Sequence, residues 1–143
     1  MYRTMLLAFD GSRPAHEAPR QGVDLALLCQ ANVYLLAVLA PELGVLLAEA
    51  VAASDLPERE RAEVERVLMD GAKELRDAGL SVETRLGSGN PAEEIGRVAR
   101  EVAADLIVVG HREQGALARW WNGSTGASLV AHAPCSILVA IAR

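Results

Sequence analysis

The residues with the clearest chemical potential lie between positions 110 and 126. Gly110-His111-Arg112-Glu113-Gln114-Gly115 follows an apolar run, and Gly123-Ser124-Thr125-Gly126 precedes a segment of helical composition. A helix start offers free N–H groups with a partial positive charge, and glycines let a phosphate approach that backbone closely. The hydroxyl groups and the Arg112 guanidinium would add hydrogen bonds and charge. The pattern favours a phosphate site, with an ordinary loop in which Ser124 caps the helix as the open alternative.

Short apolar runs bounded by turn residues predict the strands that would position these groups. The predicted strands are Met5–Phe9, Asn32–Leu39, Ser81–Leu86, Asp105–Val109 and Ser136–Ile141. The predicted helices begin at capping or proline residues and run from Ser12 to about Gln30, from Pro57 to about Ala78, from Asn90 to about Val102, and from Ser124 to about His132. Pro19 lies inside the first helix and should kink it.

Strands that alternate with helices, and that are mostly apolar on both faces, predict a parallel sheet covered on both sides. We therefore expect one α/β domain over residues 1–143, with a doubly wound five-stranded sheet in the order 3-2-1-4-5. The third strand carries Glu83 and Arg85, which suit an edge position. In this order the winding reverses between strands one and four, and ligands bind such folds outside the carboxyl ends of those strands. Asp10 and Gly110 fall there.

Composition excludes several functions. The formal net charge of −5, with no basic run, argues against nucleic acid or an anionic membrane as a partner. Cys29 and Cys135 lack metal-ligand spacing and are interpreted as buried, inert thiols. No signal-peptide pattern opens the chain, and no apolar run reaches the roughly 20 residues of a membrane span. These features predict a cytoplasmic protein.

The whole chain resembles the universal stress protein family. The resemblance rests on four segments taken together, since each alone is weak. They are the strand that ends in Asp10-Gly11-Ser12, the Gly89-Asn90-Pro91 turn, the run Asp105–Gly110, and the tail His132-Ala133-Pro134-Cys135 before a strand. The resemblance implies a stress-response regulatory protein that binds ATP, ADP or AMP. It also implies Mg²⁺ as a possible companion of the phosphates, and a homodimer formed through the last strand, Ser136–Ile141. Protein partners beyond the second copy are not identified.

Family members that bind ATP resemble one another in the pattern Gly-x2-Gly-x9-Gly-(Ser/Thr). Gly110, Gly123 and Ser124 match it here, whereas Glu113 stands at the second glycine. The same resemblance implies which residues contact the ligand. Adenine and ribose would lie near Ala8, Phe9, Asp10, Val38 and Val109, and the phosphates on Gly123, Ser124 and Thr125, with Gly110 and Arg112 beside them.

Glu113 leaves two functions open. A carboxylate about 5 Å from a phosphate lowers affinity roughly fivefold to two-hundredfold, for effective dielectric constants between about 80 and 20. Against this, the Glu113 side chain could point to solvent, and Arg112 is adjacent. The first hypothesis is a nucleotide-responsive regulatory protein. The second is a member with a broken motif that binds no ATP and acts as a dimeric protein-interaction module.

Other candidate residues are weaker. Gly87-Ser88-Gly89-Asn90-Pro91-Ala92 matches a dinucleotide-binding pattern but follows the expected edge strand, which favours a tight turn instead. His16, His111 and His132 have no acidic partner at a telling spacing, and nothing marks a nucleophile or a general base. We therefore expect no catalytic residue, and at most slow, incidental ATP hydrolysis. Trp120-Trp121 favour local packing, and Leu43–Ala53 could form a lid or a partner surface.

Overall fold

The structure is a computed structural model that describes residues 1–9, 18–39, 56–111 and 129–141. Its strands and helices alternate along most of the chain, and a short helical segment covers residues 129–132. The strands are β1 (Thr4–Phe9), β2 (Asn32–Leu39), β3 (Ser81–Ser88), β4 (Leu106–His111) and β5 (Ser136–Ile141). The helices are α1 (Ala18–Cys29), α2 (Leu56–Asp77) and α3 (Pro91–Glu101).

The five strands form one parallel sheet in the order β3-β2-β1-β4-β5, which confirms the predicted topology. β1 therefore lies at the centre, paired with β2 on one side and β4 on the other. The chain winds in one direction from β1 to β3 and in the other from β4 to β5. Folds of this kind bind ligands beyond the carboxyl ends of the two strands at such a reversal, here β1 and β4.

The sheet has a hydrophobic core on each face, because its central strands present apolar side chains on both. On one face Met5, Leu7 and Phe9 of β1 pack with residues of α1 and α2, among them Ala26 and Leu68. On the other face Leu6 and Ala8 pack with Ile95 and Val98 of α3 and with Leu129. The fold is thus doubly wound, with α1 and α2 covering one face of the sheet and α3 and residues 129–132 covering the other.

The two edge strands differ in chemistry. β3 carries Glu83 and Arg85, whose charged groups are 3.5 Å apart, and the Arg85 guanidinium lies 5.2 Å from the centre of the Tyr34 ring. β5 presents Ile137, Leu138 and Val139, all partly exposed. Charges on an edge strand discourage pairing with another chain, whereas an apolar edge does not.

β3 and β4 are each two residues longer at the carboxyl end than predicted. β3 continues through Gly87 and Ser88, which pair with Val38 and Leu39. β4 continues through Gly110 and His111, which pair with Ala140 and Ile141. Since a neighbouring strand supplies partners for both pairs of residues, the ladder continues past the position where apolar composition ends.

Element boundaries follow the predicted local signals. The Asn90 side chain accepts a hydrogen bond from the Glu93 backbone N–H at 3.2 Å, so Asn90 caps α3 as expected. Gly79, with φ +104°, lies just beyond the end of α2. At the start of the sheet, the Asp105 carboxylate accepts hydrogen bonds from the backbone N–H groups of Arg3 and Thr4, at 2.8 and 3.1 Å. That clamp joins the beginnings of β1 and β4.

The cysteines are less buried than predicted, since both Cys29 and Cys135 are partly exposed. Each packs against a core instead of lying within it, Cys29 at the end of α1 and Cys135 just before β5. Burial, and secondarily the negative charge of Asp105, raises the pKa of the Cys135 thiol, which keeps it in the less reactive protonated form. The expectations for Ser12, Leu43–Ala53, Trp120 and Trp121 lie outside the described residues. The kink expected at Pro19 also depends on residues before the described part of α1.

Candidate functional site

The carboxyl ends of β1, β2 and β4 lie side by side. Ala8 of β1 pairs in register with Val109 of β4, and Phe9 pairs with Ala37 of β2. Val38 is the next residue along β2, so it flanks the position that follows Phe9. The structure thus brings together Ala8, Phe9, Val38 and Val109, and places Gly110 beside them in β4. Their contact with a ligand stays a prediction.

The other predicted site residues lie outside the described part of the chain. They are Asp10, Arg112, Gly123, Ser124 and Thr125, and Glu113 lies there too. Their proposed roles therefore rest on the sequence.

The four described side chains are apolar rather than reactive, and we call three of them, Ala8, Val38 and Val109, the apolar floor. Ala8, Val38 and Val109 share the α3 face of the sheet and are 5%, 0% and 1% exposed, whereas Phe9 lies on the opposite face and is 6% exposed. Because these side chains are buried and apolar, they can support a planar apolar group but cannot stabilise a charge. Any polar recognition at this point must come from the backbone or from neighbouring side chains.

Gly110 lies within β4 rather than in the loop that was predicted to begin there. It pairs with Ala140 of β5, one residue beyond the pair formed by Val109 and Val139. A glycine inside a strand often marks a place where a ligand or another backbone approaches closely. The position of Gly110 at the carboxyl end of β4, next to the end of β1, is therefore compatible with its predicted role.

The second glycine-containing segment forms a tight turn, as expected. We call Gly87–Asn90 the β3 turn. It comprises the last two residues of the edge strand β3 and the two that follow, away from the ends of β1 and β4, and Gly89 adopts φ +118°. The Gly89 N–H donates a hydrogen bond of 3.2 Å to the carbonyl oxygen of Leu39, so the turn packs against the end of β2. The dinucleotide-binding interpretation has no support from this position.

Sequence reasoning missed a carboxylate on this side of the sheet. A Cβ atom at Gly87 would lie 2.7 Å from Oε2 of Glu94, so the carboxylate occupies the space that a side chain at this position would need. Arg97 donates to both carboxylate oxygens of Glu94, at 3.1 and 3.0 Å. The sequence signal that could have revealed this carboxylate was a glycine beside a predicted site strand, followed by a glutamate in the first turn of the next helix.

Within the described residues, metal-ligating groups and histidines add little to the candidate site. Among those residues, no three or more His, Cys, Asp or Glu side chains are grouped so that they could hold a metal ion. His132 is the last helical residue of its segment, as predicted, and its carbonyl oxygen accepts a hydrogen bond of 3.3 Å from Arg100. His111 ends β4, and His16 lies outside the described part of the chain.

Within the described ranges, no helix is both long and apolar enough to cross a membrane.

Known proteins match the chain over nearly its full length. The model of the universal stress protein family matches residues 1–140. A protein of Staphylococcus aureus (strain USA300) that carries the universal stress protein name is 34% identical over 141 residues, which cover 96% of this chain and 83% of the relative.

Solved structures show the same fold. The universal stress protein UspA from Lactobacillus plantarum superposes with a TM-score of 0.74 at 27% identity, over 97% of each chain. A universal stress protein in complex with cAMP gives a TM-score of 0.67 at 22% identity, over 96% of this chain and 95% of that one.

A further structure, of the universal stress protein from Archaeoglobus fulgidus in complex with dAMP, gives a TM-score of 0.68 at 20% identity. The superposition covers 97% of that chain and 96% of this one. At these identities the two nucleotide complexes establish likeness of fold. The family match, the staphylococcal relative and the sheet topology agree, and the chain belongs to the universal stress protein family.

Proposed function

We propose that this protein binds an adenine nucleotide at the carboxyl ends of β1 and β4 and acts as a nucleotide-responsive regulatory protein. The observation that carries the proposal is the register that sets Ala8 beside Val109, at the point where the winding of the sheet reverses. Structures of related fold are complexes with cAMP and dAMP, which supports an AMP-type ligand.

The adenine ring and the phosphates of the nucleotide would bind to different parts of the site. The buried floor of Ala8, Val38 and Val109 suits the adenine ring, because planar apolar groups bind well to such surfaces. The phosphates would extend past Gly110 toward Gly123, Ser124 and Thr125, where the predicted helix start provides N–H donors and a favourable dipole. Mg²⁺ would accompany ATP or ADP through the phosphate oxygens. Regulation would follow if the bound nucleotide orders the loop after β4.

No residue is proposed to catalyse a reaction. The described floor of the site holds apolar side chains, and the sequence places no recognisable base beside the phosphates. We therefore expect ATP hydrolysis to be slow and incidental. Turnover that survives repurification and is lost in Asp10→Ala or Ser124→Ala would contradict this part of the proposal.

Displacement of a fluorescent ATP analogue from nucleotide-stripped protein tests the binding proposal. ATP, ADP and AMP should compete, whereas GTP should compete weakly, because an apolar floor would leave two exocyclic polar groups of guanine without hydrogen bonds, against one of adenine. Repeating the titration with EDTA in place of Mg²⁺ should weaken the binding of ATP more than that of AMP, since AMP has fewer phosphate charges to neutralise. Equal competition by GTP and ATP would contradict an adenine-selective site.

A second function, a dimeric interaction module that needs no nucleotide, is favoured by β5. Ile137, Leu138 and Val139 are only partly covered in the single chain, and β5 lies at the edge of the sheet. Pairing with a second copy along this edge would cover them and complete the strand's hydrogen bonds. The homodimer is common to both functions, whereas Glu113 in place of glycine favours the second one alone.

Light scattering after gel filtration tests the dimer. The wild-type chain should be a dimer at micromolar concentration, and Val139→Arg should shift it toward the monomer, because a charge would oppose pairing along β5. Val130→Arg is the matched control, since Val130 is already 62% exposed and lies outside β5. A monomeric wild-type protein, or equal effects of the two variants, would contradict a dimer through β5.

A further inference from the structure

The β3 turn lies beside the carboxyl end of β2, the strand that carries Val38. Gly87 pairs in register with Val38, and the Gly89 N–H bonds to the carbonyl oxygen of Leu39. The turn and the end of β2 are therefore held together at the carboxyl edge of the sheet. Residues paired in register present their side chains to the same face, so Gly87 and Val38 share the face covered by α3.

A carboxylate fills the space above Gly87. Oε2 of Glu94 would lie 2.7 Å from a Cβ atom at position 87, and a strand spacing of about 4.8 Å separates Gly87 from Val38. The Glu94 side chain is 18% exposed, whereas those of Arg97 and Glu101 are each 55% exposed. Glu94 is thus the inward member of this charged group, one strand away from the proposed adenine floor.

Arg97 fixes the carboxylate in place. Its guanidinium donates to both oxygens of Glu94, and also to Glu101 at 3.0 Å. Hydrogen bonds to Glu94 and its negative charge, with a smaller contribution from Glu101, raise the pKa of Arg97 above its ordinary value. The group of two carboxylates and one guanidinium keeps a net negative charge, and its inward oxygen accepts hydrogen bonds but cannot donate them.

We propose that Glu94 is a specificity-determining residue that reserves the β2 side of the site for the nucleoside and turns the phosphates toward β4. This inference rests on the proposed nucleotide function. A hydroxyl or amino group of the nucleoside would donate to the carboxylate, whereas a phosphate there would be repelled by it. Partial neutralisation by Arg97 limits the repulsion to a factor of roughly 3 to 30 in affinity, at separations of about 6 Å.

Glu94→Gln tests this role, with Glu101→Gln as the matched control, because both glutamates bond to Arg97 but only Glu94 lies against Gly87. The probes are adenosine, inorganic tripolyphosphate and ATP, titrated by calorimetry. Glu94→Gln should lower the affinity for adenosine about tenfold, the usual value of a charge-assisted hydrogen bond. The affinity for tripolyphosphate should stay equal or increase. Glu101→Gln should leave the ratio of the two affinities unchanged. Glu94→Asp keeps the charge and should retain most of the selectivity.

The outcomes separate the inference from the function on which it rests. Equal ratios of adenosine to tripolyphosphate affinity in the wild type, Glu94→Gln and Glu101→Gln would overturn the role of Glu94 while nucleotide binding stands. A wild-type protein that binds neither adenosine nor ATP would overturn the proposed function and this inference together. Urea midpoints of the wild type and the three variants establish that the variants are folded.

Discussion

Two glycine-containing segments lie at the carboxyl end of the sheet, one at the end of β3 and one at the end of β4. They differ in their place in the strand order and in the charged residues that they carry. The β3 turn follows an edge strand, and its helix start is occupied by the Asn90 cap and by Glu93 and Glu94 in the first turn. The segment after β4 starts next to β1, where the winding reverses, and carries Arg112 and Glu113, with Ser124 and Thr125 at the predicted start of a helix. If the phosphates bind after β4 as proposed, position in the sheet and local charge decide what can bind, and glycine spacing alone does not.

Adding a carboxylate to each segment should give the largest contrast. Gly123→Glu places a negative charge where phosphates are proposed, and should weaken ATP roughly fivefold to two-hundredfold. Ser88→Glu adds the same charge at an exposed residue of the β3 turn and should change the affinity less than about twofold, since exposed charges are screened. Calorimetric titration with ATP measures both. Intact binding in Gly123→Glu would show that the phosphates lie elsewhere.

Removing the carboxylate from the segment after β4 should have the opposite effect. Glu113→Gly restores the glycine of the family pattern and should strengthen ATP by up to roughly two-hundredfold, and AMP by less because it carries fewer phosphates. Glu113→Gln removes the charge without restoring the backbone freedom of glycine, so it separates these two effects. Glu93→Gln is the control, because it removes a charge from the first turn of α3, after the β3 turn. Unchanged ATP affinity in Glu113→Gly would remove Glu113 as the reason for weak binding.

The β3 turn should instead respond in stability. Asn90→Ala removes the side-chain oxygen that accepts the Glu93 N–H, and should lower the free energy of unfolding by about 1 kcal/mol. Asn90→Ser supplies another capping oxygen and should recover most of that loss. Urea unfolding monitored by circular dichroism measures both. Equal stability of the alanine and serine variants would show that the cap contributes nothing.

Gly87→Ala should have the smallest effect. The new methyl group would meet Oε2 of Glu94, but a carboxylate at the end of a flexible side chain can swing away from it. The cost should be below about 1 kcal/mol, the usual value of an exposed ion pair such as the one with Arg97. Gly87→Ala in a Glu94→Ala background should cost less than in the wild type. A larger cost that persists in that background would show that Glu94 is not the obstruction, since the other neighbour, Cδ1 of Leu36, would be at an ordinary contact distance of 3.6 Å.

The topology was predictable because it depends on local signals. Asn32–Leu39 and Ser136–Ile141 are apolar runs bounded by turn residues, and their strands have the predicted limits. The charges of Glu83 and Arg85 placed β3 at the edge, which left the remaining order nearly determined. Asn90 and Pro91 marked the start of α3 for the same kind of reason, since capping and a fixed φ act within a few residues.

Features that depend on two distant segments were not predictable. β4 extends through Gly110 and His111 because β5 supplies their partners, which the composition of β4 does not reveal. The approach of Glu94 to Gly87 depends on where α3 lies over the sheet and on the register between β2 and β3. At the site, the family resemblance named Ala8, Val38 and Val109, and the structure places them near the carboxyl ends of β1, β2 and β4. Their contact with a nucleotide needs a measurement.

Calorimetric titration of purified, nucleotide-stripped protein with ATP and Mg²⁺ tests the central claim most directly. The account predicts one site per chain with a dissociation constant in the micromolar range. The dissociation constant should rise roughly fivefold to two-hundredfold in Gly123→Glu and change less than about twofold in Ser88→Glu. No heat with ATP, and no binding of AMP or ADP at millimolar concentration, would contradict nucleotide binding and leave the dimeric interaction module as the function of this protein.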